Sequence, residues 1–77
     1  MLEYPMRMSY DSEANAAYLA IEQDIPSGSA TENVVVERPG QGDIVLDFDS
    51  DGRLLGVEVI GARELLSAAV LTTADDA

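Results

Sequence analysis

Cysteine, histidine, lysine and tryptophan are all missing from this chain of 77 residues. Without cysteine there is no disulfide, and no thiolate to hold a metal or carry a redox step. Without histidine the commonest zinc ligand and the commonest general base at neutral pH are gone. Positive charge is scarce as well. Arg7, Arg38, Arg53 and Arg63 stand against 15 acidic residues, for a net charge of −11. Phosphate backbones bind by releasing counterions onto cationic side chains, so this chain would repel them and no nucleic-acid partner is expected. No run approaches the roughly 18 apolar residues of a membrane span, so no membrane partner is expected either. The opening Met1-Leu2-Glu3-Tyr4-Pro5 lacks a basic stretch followed by an apolar core. No signal peptide is read there, and a cytoplasmic location is expected.

What remains is a single small domain, with an ordered core over about residues 6–71. A folded chain this short buries only about 60% of the surface its unfolded form exposes, so it needs added support. With disulfides excluded, oligomerisation is the expected support, and a cation held by oxygen ligands is the second candidate. The acidity serves solubility first, and it also suits a basic protein partner or a divalent cation.

Met6-Arg7-Met8-Ser9-Tyr10 alternates apolar and polar residues as a half-buried strand does. Residues 11–15 break that alternation, and Asp11 or Ser12 can bond nearby backbone N–H groups in a tight turn. Residues 16–21 are apolar on both faces and read as a second strand, with a helix over 13–23 as the competing assignment. Pro26 and Gly28 mark a loop, residues 30–37 a third strand, and Pro39-Gly40-Gln41-Gly42 another turn. After Gly61 the period changes. Ala62, Leu65, Leu66, Ala69 and Val70 fall on one face of a helix. Residues 72–77 have nothing to bury and are expected to fray. The expected fold is α+β: a small antiparallel meander of four to five strands with one C-terminal amphipathic helix.

The stretch 44–61 organises this fold, and it admits two readings. Asp47, Asp49, Asp51, Gly52 and Glu58 fit the spacing of an EF-hand calcium loop. Its flanks, however, are β-branched and alternating, where an EF-hand requires two amphipathic helices. A strand after Gly52 also carries Glu58 away from the aspartates by about 3.3 Å per residue. The expectation is therefore a hairpin closed by Asp49-Ser50-Asp51-Gly52, with Asp47, Asp49 and Asp51 kept as a weak cation site. The return strand is apolar on both faces, so it should lie centrally and be covered twice. The helix supplies one cover, and a second subunit supplies the other.

Two segments together resemble the small bacterial proteins of the domain-of-unknown-function family 2283. They are Tyr10-Asp11-Ser12-Glu13-Ala14-Asn15-Ala16-Ala17-Tyr18-Leu19 and the stretch 44–62, and with the strand between them the likeness covers roughly residues 6–66. This chain departs from the pattern at Ala16, at Ala20 and in the loops 27–30 and 39–42. The resemblance implies a cytoplasmic bacterial domain with no established activity and no assigned catalytic residues. It also implies a genetic setting beside small toxin-like proteins.

Catalysis is poorly served by the residues themselves. Ser9, Ser12, Ser27, Ser29, Ser50 and Ser67 have no histidine, lysine or cysteine to activate them. Asp47, Asp49 and Glu58 could pair as acid and base only in a dry cleft, whereas a hairpin turn is wet. Pro39-Gly40-Gln41-Gly42 lacks the Lys-Ser/Thr of a phosphate loop. No catalytic residue and no cofactor is therefore expected. The leading expectation is a homodimeric structural or protein-interaction module without catalysis. The alternatives are an antitoxin-like acidic neutraliser of a basic protein and a weak calcium binder.

Overall fold

The alternating opening run forms strand β1, Arg7–Asp11, in a computed structural model that describes residues 2–76. Asp11 turns its carboxylate back on the chain, accepting from the N–H groups of Glu13 at 3.1 Å and Ala14 at 3.2 Å. The chain then re-enters as β2, Ala16–Ala20, which settles the choice between strand and helix. β1 and β2 pair antiparallel with Met8 opposite Leu19 and Tyr10 opposite Ala17. β3 (Glu32–Arg38), β4 (Gly42–Phe48) and β5 (Leu54–Ile60) follow as an antiparallel meander.

The two units do not run on as one meander. The sheet has six strands in the order β3-β4-β5-β2-β1-β6, and β5 lies against β2. With β1 on one side and β5 on the other, the backbone donors and acceptors of β2 are paired along both edges. The loop 21–31 therefore passes β5 and β4 before β3 begins. It is tied down by Ile21 and Glu22 N–H donating to the Leu55 carbonyl, and by Thr31 N–H donating to that of Phe48. β5 lies inside the sheet, between β4 and β2, as expected, but the expected second cover on its other face is not supplied by a helix among the described residues.

The single C-terminal helix is corrected to two short ones, α1 (Ala62–Leu65) and α2 (Ala68–Thr73). Leu66 is extended, and Ser67 begins the second helix by accepting from Val70 N–H at its hydroxyl. A serine in that position competes for the helix backbone as an N-cap does, and the break turns Ala69 and Val70 outward. Nor is the segment from 72 a loose tail over its described residues. Thr72 and Thr73 end α2, and Asp75–Asp76 form β6, parallel to β1, which makes the sheet mixed. Arg7 meets Asp75 there at 3.4 Å. The α+β class stands; the strand count, the simple meander and the lone helix do not.

The core gathers on the helical side. Ala17, Val59 and Ala62 are buried together, with Met8, Tyr10, Leu65, Leu66 and Leu71 packed around them. Met6, which the alternation places on one side with Met8 and Tyr10, precedes β1 and is exposed. Among the described residues, no helix lies on the opposite face of the sheet.

Candidate functional site

On the face without helices, strand register collects polar side chains around Tyr18. Tyr18 lies opposite Glu58, Glu58 opposite Val45, and Asp47 opposite both Asn33 and Gly56. Alternation brings Asp43 and Glu37 onto the same face. Asp47 is held from two sides: Asn33 Nδ2 donates to its Oδ1, and Tyr18 Oη donates to its Oδ2 at 3.4 Å. The tyrosine ring lies across Gly56, which is buried beneath it, and a side chain at that position would strike the ring. Burial pushes the Tyr18 hydroxyl above its ordinary value of 10.0, and the nearby charge of Asp47 and then of Glu58 adds to the effect. A phenol held in that way stays protonated at neutral pH and acts as a hydrogen-bond donor.

The three aspartates of the acidic turn are not gathered into a cation site. Asp47 faces the sheet and is engaged as described. Asp49 spends Oδ1 on the turn itself, accepting from Asp51 N–H and Arg53 N–H, both at 2.9 Å. Gly52 takes φ 78 and donates to the Asp49 carbonyl at 3.0 Å, closing the hairpin. Asp51 points to solvent. Glu58 sits within β5, four residues past the strand's start. Among the described residues no group of three or more carboxylates could hold a metal ion.

A second constellation escaped the sequence entirely. Asn15 adopts φ 53, a left-handed conformation that asparagine tolerates better than most residues. Its carbonyl accepts from Gly61 N–H and Ala62 N–H, both at 3.0 Å. Its side chain accepts from Arg63 N–H at 2.9 Å and donates to Glu64 Oε1 at 2.7 Å. Arg63 returns the contact, donating from Nη1 to Tyr10 Oη at 3.2 Å and to the Ser12 carbonyl at 3.0 Å. The β1–β2 turn thus supplies the N-cap that α1 lacks in its own sequence. An asparagine after a turn and a glycine before a helix are the local signals, but nothing local joins residues 48 positions apart.

Clefts flank β1, and one of them, of 270 Å³, is lined by Arg7, Ser9, Tyr18, Gln23, Asp75 and Asp76. Another, of 370 Å³, runs between β1 and α2, past Met8 and Val70. No helix among the described residues is long and apolar enough to cross a membrane.

These features define a class: a small α+β domain whose mixed sheet is covered by helices on one face and open on the other. The chain belongs to the family described as "Protein of unknown function (DUF2283)", matched over residues 7–63. That span includes both segments bound together at Asn15. No curated protein and no solved structure matches the chain.

Proposed function

We propose that this protein is a non-catalytic interaction module that works as a homodimer in the cytoplasm. One observation carries that reading. The chain exposes 5459 Å². A compact monomer of its 8.2 kDa exposes about 4,500 Å². The excess, near 900 Å², is more surface than a compact monomer of this size shows, with the exposed opening residues Leu2, Tyr4 and Met6 among its sources. Part of it is apolar: Val34, Val35, Val36 and Ile60 are all exposed. Only Ala17, Leu55, Val59 and Ala62 are buried apolar residues among those described, which is little core for a free monomer. The lack of catalysis rests on composition, since the chain has no histidine, lysine or cysteine to activate a serine. Sedimentation equilibrium at micromolar concentration is expected to give twice the chain mass. A monomer throughout would overturn the reading.

A second reading, an antitoxin-like acidic neutraliser of a basic protein, is favoured by the open face. There Glu37, Asp43, Asp47 and Glu58 share one side of the sheet. Recovery of a stoichiometric basic protein with the tagged chain from its source cell would support it, and repeated absence would remove it.

A further inference from the structure

Resting on the homodimer reading, we infer that two copies join through the outer edge of β3, antiparallel, with the two-fold axis at Val35. The two ends of the sheet are treated differently. At one end β6 is two residues long, and both are aspartate. A very short, charged strand is how proteins blunt an edge. At the other end β3 runs seven residues, about 23 Å, exposed throughout and paired to β4 without a register shift. Its centre is Val34-Val35-Val36, with no proline or bulge to deter a partner strand. That edge offers unpaired backbone donors and acceptors beside β-branched side chains.

Charge then selects both the occupant and the register. With Val35 opposite its own copy, Val34 meets Val36 and Asn33 meets Glu37. Glu32 meets Arg38, and the symmetry makes that ion pair twice. Moving the axis to Val34 sets Glu32 against Val36, and moving it to Val36 sets Arg38 against Val34. Only the Val35 register matches opposite charges at both ends and valines throughout the middle. Glu32 and Arg38 lie opposite Phe48 and Gly42 within the protomer, so neither is committed to another charge there. The open face is a poor surface for self-association, because stacking it on itself would bring Glu37, Asp43, Asp47 and Glu58 towards their own copies.

Two experiments test this. The chain has no cysteine, so Val35→Cys introduces the only thiol. Facing residues of an antiparallel pair lie about 4.5–5.5 Å apart at Cα, inside the range a disulfide spans. Residues 34 and 36 would stand about 8 Å from their own copies, outside it. Mild oxidation is therefore expected to cross-link Val35→Cys in high yield, and Val34→Cys and Val36→Cys poorly. In parallel, Glu32→Arg is expected to raise the dimer dissociation constant about tenfold at 0.15 M salt. It does so although it lowers the net charge from −11 to −9, which on its own favours association. Adding Arg38→Glu should restore the wild-type constant. A wild-type chain that is monomeric at every concentration overturns the homodimer reading and this one with it. A stable dimer with no preference for Val35→Cys and no response to Glu32→Arg overturns the β3 edge alone. A β3 edge that takes up an extended segment of a different protein while the chain stays monomeric overturns self-pairing.

Discussion

Replacing Asn15 with alanine removes three things at once. The first is the side-chain acceptor for Arg63 N–H at 2.9 Å, which serves α1 as its cap. Loss of such a cap costs about 1 kcal/mol. The second is tolerance of the left-handed backbone at φ 53, worth about 1 kcal/mol for a residue carrying a Cβ. The third is the 2.7 Å bond to Glu64, which is exposed and so contributes about 0.5 kcal/mol. The sum is about 2–3 kcal/mol. A chain of 77 residues has a total stability of about 4–12 kcal/mol, so the loss is large. It corresponds to a fall in Tm of about 10–20 °C for a domain of this size.

Urea denaturation followed by circular dichroism, at one fixed protein concentration, measures the effect. The midpoint should fall with the slope unchanged. Asn15→Gly supplies the control, because glycine adopts the left-handed conformation freely and loses only the side-chain bonds. It should be milder than Asn15→Ala by about 1 kcal/mol. An alanine variant within 0.5 kcal/mol of wild type, or a glycine variant as damaged as the alanine one, would refute the assignment of Asn15 as the joint between turn and helix.

Gly61→Ala should cost at least about 2 kcal/mol in the same assay, because Gly61 sits at φ 88 and a Cβ there would strike the Gln41 carbonyl. Tyr18 titrates above its ordinary value in the folded state, so its contribution is complete below pH 10 and is lost as pH rises through the folded-state value. Absorbance titration at alkaline pH should show one late-ionising tyrosine that disappears in Tyr18→Phe; tyrosines that all ionise together would contradict this. Asp49→Ala should destabilise by about 1 kcal/mol through the two turn N–H groups it leaves unmade. Calorimetric titration of the wild type with millimolar calcium should give no binding heat, and a saturable signal abolished by Asp49→Ala would reverse the assignment of that carboxylate to the turn.

The hairpin at β4–β5 was legible because its turn is local. Asp49 and Gly52 carry the bonds and the positive φ that Asp-Ser-Asp-Gly requires, and alternation on either side fixes the strands. The doubly apolar character of β5 correctly placed it in the middle of the sheet. Local pattern failed where the choice of partner is global. Nothing in Ala16–Ala20 says that its second neighbour is β5, and nothing in Asp75–Asp76 says that two acidic residues will lie beside β1. The helix was misread for a different reason. The i, i+3, i+4 stripe runs straight through Ser67, but the serine hydroxyl satisfies a backbone donor and restarts the helix. The acidic motif was rightly read as a hairpin turn from its β-branched flanks, but its spacing could not show that Asp47 answers to Asn33 and Tyr18 on other strands.

The Asn15 joint lies between the two middle strands, β2 and β5, and the proposed association lies at the β3 edge, so the two should be separable. The Asn15 joint ties the β1–β2 turn to the start of α1, just after β5. β3 pairs only with β4, so it shares no backbone ladder with the joint. Mutations at sites with no shared partners contribute additively. Glu32→Arg should therefore leave urea unfolding unchanged at concentrations where the chain is monomeric, while weakening association. Asn15→Ala should lower unfolding stability at every concentration, with the dissociation constant of the folded chains unaltered. A Glu32 substitution that destabilised the monomer would mean that the charges of β3 serve the protomer's own fold, and the edge would lose its claim to be an interface.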